Sequence, residues 1–548
     1  MRNNVYLARF VVIGALVAVY AIGMGVDVME VDAAQYASIS REMLTTGQWL
    51  ELFNRHEPYL DKPPLLFWLS AASFKVFGFN NWAYKLPSLV FALLALYATY
   101  RFVKLYYDQH LAYIAVVMLG SVQSMFTMTN DVRTDTLLMG SVALAIWLLA
   151  EYLENNKTIF LVGGSFALGL AMLSKGPIGL VAPLAGIGLQ LLVKAKLRVL
   201  LRPAIYLVGL PVMALTLAPM LYGLYTQYGW AGWKFFFWTQ SFGRITGDNQ
   251  QWVNDPGPSL FFAHTFLWAF LPWTLFALGG LWRSATRLAR GFFTDAEFIS
   301  LGSFILPFVA LSFSQYKLPH YILVTFPMSA VLAASWFYHL SAAEGSRFNR
   351  ILSGIHLVVY GLLVALAVVL CTWAFPLHYA LLGAWLLFVA FCGWFAYTRM
   401  QGLNRVVGMG WLCMLAINIL LSGHVYPTLL TYQSDNAAAR LYLQQAQPGE
   451  ELHALAEHGH ALDFYSGTIV PLAMQTETIV QLSHTRSLWL YTDDVHYAEL
   501  QQRGVAIAQT YPLSEYPVTK LTIPFVNPAT RAATLRKRYL LYIPKGGG

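Results

Sequence analysis

A small set of ionisable residues interrupts otherwise apolar sequence in this chain: Asp32, Arg41, Asp61, Lys62, Asp131, Arg133, Asp135, Lys175, Arg244, Lys317 and His320. Lysines and arginines so placed can hold an anionic head group, and aspartates among them can orient a nucleophile or take its proton. Lys175 is the most informative. In LAMLSKGPIG it stands at the tight Gly176-Pro177 turn, where nothing local calls for a charge. A snorkelling lysine is the plain reading, and neutralisation of a polar ligand head group the sharper one. Lys317 and His320 repeat the pattern in SQYKLPHY, and Arg244 supplies a forked donor in FGRITGD.

The aspartates divide in the same way. Asp32 opens the helical run AAQYASISREML, so it reads either as an N-cap or as the group that orients or deprotonates an acceptor. Asp61-Lys62-Pro63-Pro64 joins a loop to a helix; Lys62 either pairs locally with Asp61 or offers an ammonium to a phosphate. Asp131 and Asp135 are four apart and share a helix face if the fourth span begins that early. Arg133 or a divalent cation would then relieve their repulsion. Two aspartates without a histidine at useful spacing allow a metal but do not require one.

These residues need elements to carry them. The chain is 57% hydrophobic and only 11% charged, against roughly 25% charged in average soluble proteins. Runs long enough to cross a bilayer recur at 8-26, 84-100, 111-128, 136-152, 159-173, 177-193, 204-224, 259-281, 298-314, 321-340, 352-374, 379-398 and 406-424. The expected fold is a polytopic α-helical membrane protein of about thirteen transmembrane helices. Basic residues mark every connection on one side, from Arg2 and Arg9 through Lys194, Lys196, Arg198 and Arg202 to Arg399 and Arg405. The positive-inside rule makes that side cytoplasmic, with the N-terminus.

Three regions then lie outside. Residues 27-83 carry two surface helices, Ala33 to Leu44, stopped by Gly47, and Pro63 to Phe77. Residues 225-258 combine Trp230, Trp233 and Trp238, read as interfacial anchors, with a polar loop suited to close over a groove. Residues 430-548 have ordinary polarity, with expected strands in TETIVQL, SLWLYT, TKLTIPFV and RYLLYI and an expected helix in ELHALAEHG. The domains are therefore a transmembrane unit, 1-429, and a small α/β unit on the outer side, 430-548.

The net charge of +8 is not gathered on a polar domain, so nucleic acid is not an expected partner. Neither GxGxxG nor GxxxxGK[ST] occurs. Cys371, Cys392 and Cys413 all lie in apolar runs and imply no disulfide framework. The cations cluster at one face, beside lipid. That implies an anionic ligand carried by a lipid, and favours surface chemistry over a transporter, whose site sits near the midplane.

At VDAAQYASISREML, YLDKPPLLFWL, RTDTLLM, MLSKGPIG, FFWTQSFGRI and YKLPHYILVTFP the chain resembles the polyprenyl-phosphate-dependent membrane glycosyltransferases of the GT-C type, specifically aminoarabinose-to-lipid-A transferases and their protein O-mannosyltransferase relatives. The resemblance implies a sugar donor linked to undecaprenyl phosphate, a lipid A or other glycolipid acceptor, and a bacterial inner membrane location with the active site and C-terminal domain periplasmic. It implies catalytic carboxylates at Asp32 and Asp135 and donor-phosphate ligands at Lys62, Lys175 and Arg244. Asp61, Asp131, Arg133, Lys317 and His320 are further pocket candidates. Asp61 replaces a glutamate common in these transferases, and Gln240 and Ser241 stand where some have a histidine, which weakens the case for zinc.

Overall fold

A computed structural model of the chain describes residues 2–240, 243, 260–293, 297–343 and 345–546, with side chains from residue 11 onward. Among the described residues, eight helices are long and apolar enough to cross a membrane: Asn81–Tyr106, Thr134–Asn155, Thr158–Lys175, Ile205–Tyr228, Pro319–Ser341, Arg347–Ala374, Tyr379–Arg399 and Gly402–Leu430. Gln109–Gly120 and Gln123–Asn130, bent by 54° at their junction, make a ninth if they are counted as one span.

The expected thirteen spans are thus corrected to eight or nine. At 177-193, 259-281 and 298-314 apolar composition is present, but unbroken length is not. Ile178–Val193 has 16 residues and Ile299–Phe313 has 15; at 1.5 Å per residue such helices reach about 24 Å, short of roughly 30 Å of hydrocarbon. The run 259-281 is divided into Phe261–Ala269 and Thr274–Ala289. The first helix, Arg2–Met24, is 23 residues long, and its side chains are described from Val11 onward.

The elements that matter for function lie early in the chain: α1 (Arg2–Met24), α2 (Asp32–Thr46), α3 (Leu65–Phe77), α4 (Asn81–Tyr106), α5 (Gln109–Gly120), α6 (Gln123–Asn130), α7 (Thr134–Asn155) and α8 (Thr158–Lys175). Gly47 ends α2 as expected: its φ of 72° is the left-handed conformation glycine tolerates, and its N–H donates to the Met43 carbonyl. The helix expected from Pro63 begins at Leu65, with Pro64 as its N-cap. Between α2 and α3 a two-residue pairing, β1 (Phe53–Asn54) with β2 (Glu57–Pro58), turns through Arg55 and His56.

Helix α7 packs backbone-close against α4. A Cβ on Gly140 would lie 2.5 Å from the Phe91 carbonyl oxygen, so only glycine fits this crossing. The bent pair α5 and α6 is tied to Gly402–Leu420 by a partly buried reciprocal amide pair, in which Gln123 Nε2 donates to Asn418 Oδ1 at 3.2 Å and Asn418 Nδ2 to Gln123 Oε1 at 3.0 Å. Lys85 of α4 is wholly buried and donates to the Gly23 and Val26 carbonyls at 3.2 and 2.7 Å. It closes the C-terminal end of α1, where unpaired carbonyls favour a cation.

The C-terminal region is α/β, but its elements differ from expectation. Its five-stranded sheet has the order β4-β3-β5-β7-β6, with β3 (Glu451–Leu455), β4 (Leu472–Ala473), β5 (Leu488–Asp493), β6 (Gln509–Glu515) and β7 (Arg536–Ile543). β3 runs parallel to β4 and β5, and β7 antiparallel to β5 and β6. SLWLYT and RYLLYI are strands as expected. TETIVQL is helical within Thr476–Thr485, ELHAL is a strand, and TKLTIPFV is loop ending in the short helix Ile523–Val526. Ile479 explains the first reversal: it is buried with Leu455, Leu488 and Leu490 while Thr478 and Gln481 flank it exposed, the pattern of a helix on a sheet. Alternation along β5 sorts Leu488 and Leu490 to that face and Trp489 and Tyr491 to the other, under the helices Ser434–Gln445 and His460–Ser466.

Candidate functional site

Helix ends converge to form a polar chamber. Asp32 is the first residue of α2, Arg133 and Thr134 stand at the start of α7, Asp135 lies in its first turn, and Lys175 is the last residue of α8. With Tyr36, Asp61, Lys62, Tyr316, Leu318, His320 and Tyr321 they line a cavity of about 60 Å³. Seven of the expected residues, Asp32, Asp61, Lys62, Arg133, Asp135, Lys175 and His320, thus meet in one place.

Each cation lining the chamber faces a carboxylate. Lys175 Nζ lies 2.6 Å from Asp135 Oδ1 and 3.6 Å from the centre of the Tyr321 ring. His320 Nε2 is 3.7 Å from the other Asp135 oxygen. Lys62 Nζ is 2.5 Å from Asp61 Oδ2, so the local ion pair is present, yet the lysine still borders the cavity. Arg133 bridges two aspartates: Nη1 donates to Asp32 Oδ2, while Nε and Nη2 hold Asp131 Oδ2 at 3.1 and 3.0 Å.

Arg133 thus bridges Asp131 and Asp32 across elements and also favours the charge on Asp135, whose direct partner is Lys175. Asp131 precedes α7, as the residue that ends α6. Burial works against the Arg133 charge, but Asp131 and Asp32 hold its guanidinium above the usual value. Burial pushes the Asp131 carboxyl up against the pull of Arg133, and Asp131 Oδ1 has no hydrogen-bond partner among the described residues. Asp32 is not an N-cap: Val31 holds that position, and the helix start takes no side-chain cap bond. Its carboxylate is left to face Arg133 and the cavity.

Two apolar cavities adjoin the chamber. One, of about 80 Å³, shares Lys62, Asp135, Lys175 and Tyr321 with it and is otherwise walled largely by Leu138, Ile178, Ala310, Leu311 and Val324. The second shares Lys62 and Gln240 with the first and runs between Tyr59, Met220, Leu224 and Phe236. Lys62 borders all three, at the meeting of polar and apolar space. Gln240 donates to the Asp61 carbonyl, fixing the turn that presents it.

Some expected residues lie elsewhere. Arg244 and most of the loop 241-258 fall outside the described residues. Lys317 does not line the chamber, although Tyr316 and Leu318 on either side do. Arg41 turns away to donate to the Phe464 carbonyl at 2.8 Å. Among the described residues no group of three or more histidines, cysteines and carboxylates is arranged to hold a metal. The missed chamber residues include Tyr36, whose signal was available: it lies four after Asp32, one helical turn along the same face.

A second polar network, absent from the sequence reading, holds the segment that leads into Asp32. Gln433 accepts from Glu30 N at 2.9 Å and donates to Val28 O at 3.0 Å. Tyr465 accepts from Val28 N at 2.8 Å. From the hairpin, Arg55 Nε donates to Asp463 Oδ2 at 2.8 Å. Glu30 Oε1 accepts from Ala461 N at 3.0 Å, and beside it lies a second carboxylate, Asp435. A Cβ on Gly459 would lie 2.2 Å from Asp435 Oδ2 and 2.5 Å from Glu30 Oε1, so glycine alone fits against this pair. Burial first and mutual repulsion second raise the Glu30 carboxyl; burial, with Glu515 nearby, raises Asp435 to about 6.

Comparison with known proteins gives the chain relatives. A family model described as dolichyl-phosphate-mannose-protein mannosyltransferase matches residues 61–222. The undecaprenyl phosphate-alpha-4-amino-4-deoxy-L-arabinose arabinosyl transferase 2 of Proteus mirabilis (strain HI4320) is 25% identical over 56% of this chain and 54% of its own length. The corresponding transferase of Serratia proteamaculans (strain 568) is 27% identical over 73% of this chain and 72% of its own. The alignment thus spans from about half to under three quarters of these relatives. The crystal structure of ArnT from Cupriavidus metallidurans bound to undecaprenyl phosphate superposes with a TM-score of 0.76 at 17% identity, covering 97% of each chain. The apo form of that protein gives 0.73, covering 99% of this chain and 98% of that one. At this identity the likeness establishes the fold.

Proposed function

We propose that the chain is a polyprenyl-phosphate-dependent membrane glycosyltransferase of the GT-C type, like the relatives it resembles, and that it transfers a sugar from undecaprenyl phosphate to lipid A or a related envelope glycolipid. 4-Amino-4-deoxy-L-arabinose is the sugar favoured by the relatives' names. The enzyme sits in the bacterial inner membrane with its N-terminus cytoplasmic. Residues 1-429 form the transferase unit and 430-548 a periplasmic domain. The observation that carries this reading is the chamber itself: Lys62 and Lys175 stand where a polar cavity meets an apolar one, with Asp32 across the polar side.

In this mechanism the prenyl chain lies along the apolar cavities and its phosphate enters between Lys62 and Lys175. Attack on the anomeric carbon from the far side displaces the lipid phosphate and inverts the centre. Negative charge grows on the leaving phosphate, and preorganised cations stabilise it without having to reorient. Asp32 orients the incoming nucleophile or takes its proton, and Arg133 holds the carboxylate in place. A phosphate acceptor, with its second pKa near 6, needs little base, whereas a hydroxyl needs one. Asp135 fixes Lys175 through their 2.6 Å contact. The same donor set suits a protein O-mannosyltransferase, the reading favoured by the family model over residues 61–222.

Reconstitution with radiolabelled undecaprenyl-phosphate sugars and lipid A, another glycolipid or a Ser/Thr peptide distinguishes these. Label in lipid A or glycolipid is the expected result; label only in peptide would move the chain to the mannosyltransferases. A chelator added to the same assay tests for a metal requirement. Hydrolysis or transfer with none of the donors would overturn the proposal.

A further inference from the structure

Between β6 and β7 the C-terminal domain makes a long excursion, and part of it belongs to the helical bundle. Tyr516, Val518 and Phe525 are buried in the same apolar cluster as Ala374, Phe375, Leu429 and Leu430 at the ends of two spans. Tyr516 and Phe525 stack with ring centres 3.7 Å apart, and Tyr516 N donates to the Tyr432 carbonyl at 2.9 Å. Arg531 fastens the far side: Nη2 donates to the carbonyl of Ala374, the last residue of the span Arg347–Ala374, at 2.5 Å. Its guanidinium also lies 4.9 Å from the centre of the Phe375 ring and 5.3 Å from that of Phe525.

Between the buried anchors Val518 and Phe525, six residues, Thr519 to Pro524, are exposed in succession. They include two large apolar side chains, Leu521 at 50% and Ile523 at 82% exposure. Nothing in a watery setting rewards an isoleucine held out in this way on a loop pinned at both ends. The height of the loop supplies the reason. Its anchors touch the end of the span Arg347–Ala374, and in that span and the next, Tyr379–Arg399, only 22% of the most apolar stretch is buried, so both turn most of their apolar surface outward. That next span begins with Tyr379, 82% exposed, and Trp373 at the end of the first span is 45% exposed. Exposed Tyr and Trp at span ends mark the headgroup level, and Lys520 is suited to extend its ammonium outward from that depth.

We propose that the Lys520–Ile523 loop is a membrane-seating element, with Leu521 and Ile523 entering the headgroup–acyl boundary of the leaflet on the chamber's side. The occupant is the bilayer itself, because the loop continues the lipid-facing surface of the adjoining spans. The element fixes the C-terminal domain at two points: the bundle through Phe525 and Arg531, and the lipid through Ile523. This inference depends on the spans and not on the sugar transferred, so it stands or falls apart from the proposed reaction.

The test uses the full chain in phosphatidylcholine vesicles, with Cys371, Cys392 and Cys413 replaced by alanine. A polarity-sensitive fluorophore is attached at Ile523→Cys and, for comparison, at Val495→Cys, 69% exposed on a helix packed on the sheet face turned away from α2. The probe at 523 should shift to the blue, lose most of its emission to lipids brominated in the acyl chain and resist aqueous iodide. The probe at 495 should do the reverse. Equal quenching of both by iodide would overturn the proposal, as would a 523 probe shielded from iodide and bromolipid alike, which would mean a protein contact. Leu521→Cys repeats the measurement at the neighbouring tip should the first variant fold poorly.

Discussion

The chamber and the seam beneath the C-terminal domain both gather charged side chains, yet they balance them in opposite ways. In the chamber opposite charges alternate: Asp32 with Arg133, Asp61 with Lys62, Asp135 with Lys175. At the seam two carboxylates, Glu30 and Asp435, share one gap, and the positive groups near them, Arg55 and Arg538, are engaged with Asp463 and with Glu457 and Glu515. A paired site is neutral without protons and rests ready for a ligand. A site of two buried acids favours the protonated carboxyl. Two residues of chain, from Glu30 to Asp32, separate the two arrangements.

The sharpest way to break the chamber is Asp32→Asn. Turnover should fall by about 10²- to 10⁴-fold, the range of a lost general base, while donor binding, measured with labelled polyprenyl phosphate, persists. Normal turnover would remove Asp32 from the reaction. Lys175→Met comes next, with an expected loss of about 10²- to 10³-fold from a missing phosphate-stabilising group and a raised KM for donor. Because this variant removes the ammonium 2.6 Å from Asp135, adding Asp135→Asn should restore thermal stability without restoring activity. Recovery of both would make the pair structural only.

The seam gives smaller effects. Arg55→Ala removes a charged hydrogen bond to Asp463 and should cost about 2 kcal/mol, seen as faster proteolysis between the bundle and the C-terminal domain. Activity should drop less than in either chamber variant, since the chamber residues themselves remain. The least effect is in pH dependence. Raised carboxyls bind protons better folded than unfolded, so their stabilisation is complete below the ordinary aspartate value of 3.8 and is lost as pH rises through about 6. The groups facing the pair are Arg55 from the hairpin, Tyr491 from β5, Glu515 from β6 and Arg538 from β7. Asp435→Asn should flatten the fall in melting temperature between pH 4 and 7 by a few degrees; parallel curves for parent and variant would exclude this proton linkage.

The two regions also differ in how far the sequence disclosed them. Lys175, Asp135 and Asp32 stand out because charge beside hydrocarbon is costly and needs a reason. Glu30, Gln433, Asp435 and Asp463 stand in ordinary polar sequence, where a carboxylate needs none, so their meeting was not legible. The same limit governed the C-terminal elements. ELHAL and TETIVQL are short apolar runs whose state is decided by the neighbours they pack on, not by their own periodicity. Span number failed for another reason: hydropathy registers that 259-281 is apolar but not that its helix divides, nor that Ile178–Val193 is too short to cross.

The alternation of charge in the chamber also bears on which molecules gain entry. A small anion arriving from water must loosen Lys175 from Asp135 and Lys62 from Asp61 while giving up its own hydration, with only those two contacts in return. A molecule whose tail fills the adjoining apolar cavities brings an independent gain of roughly 25 cal/mol for each Å² of hydrocarbon withdrawn from water, enough over a few isoprene units to tip the exchange. In the proposed reading the aspartates thus act as gatekeepers: free phosphate and nucleotides are turned away at the rim, and only a head group delivered on a greasy stem displaces them.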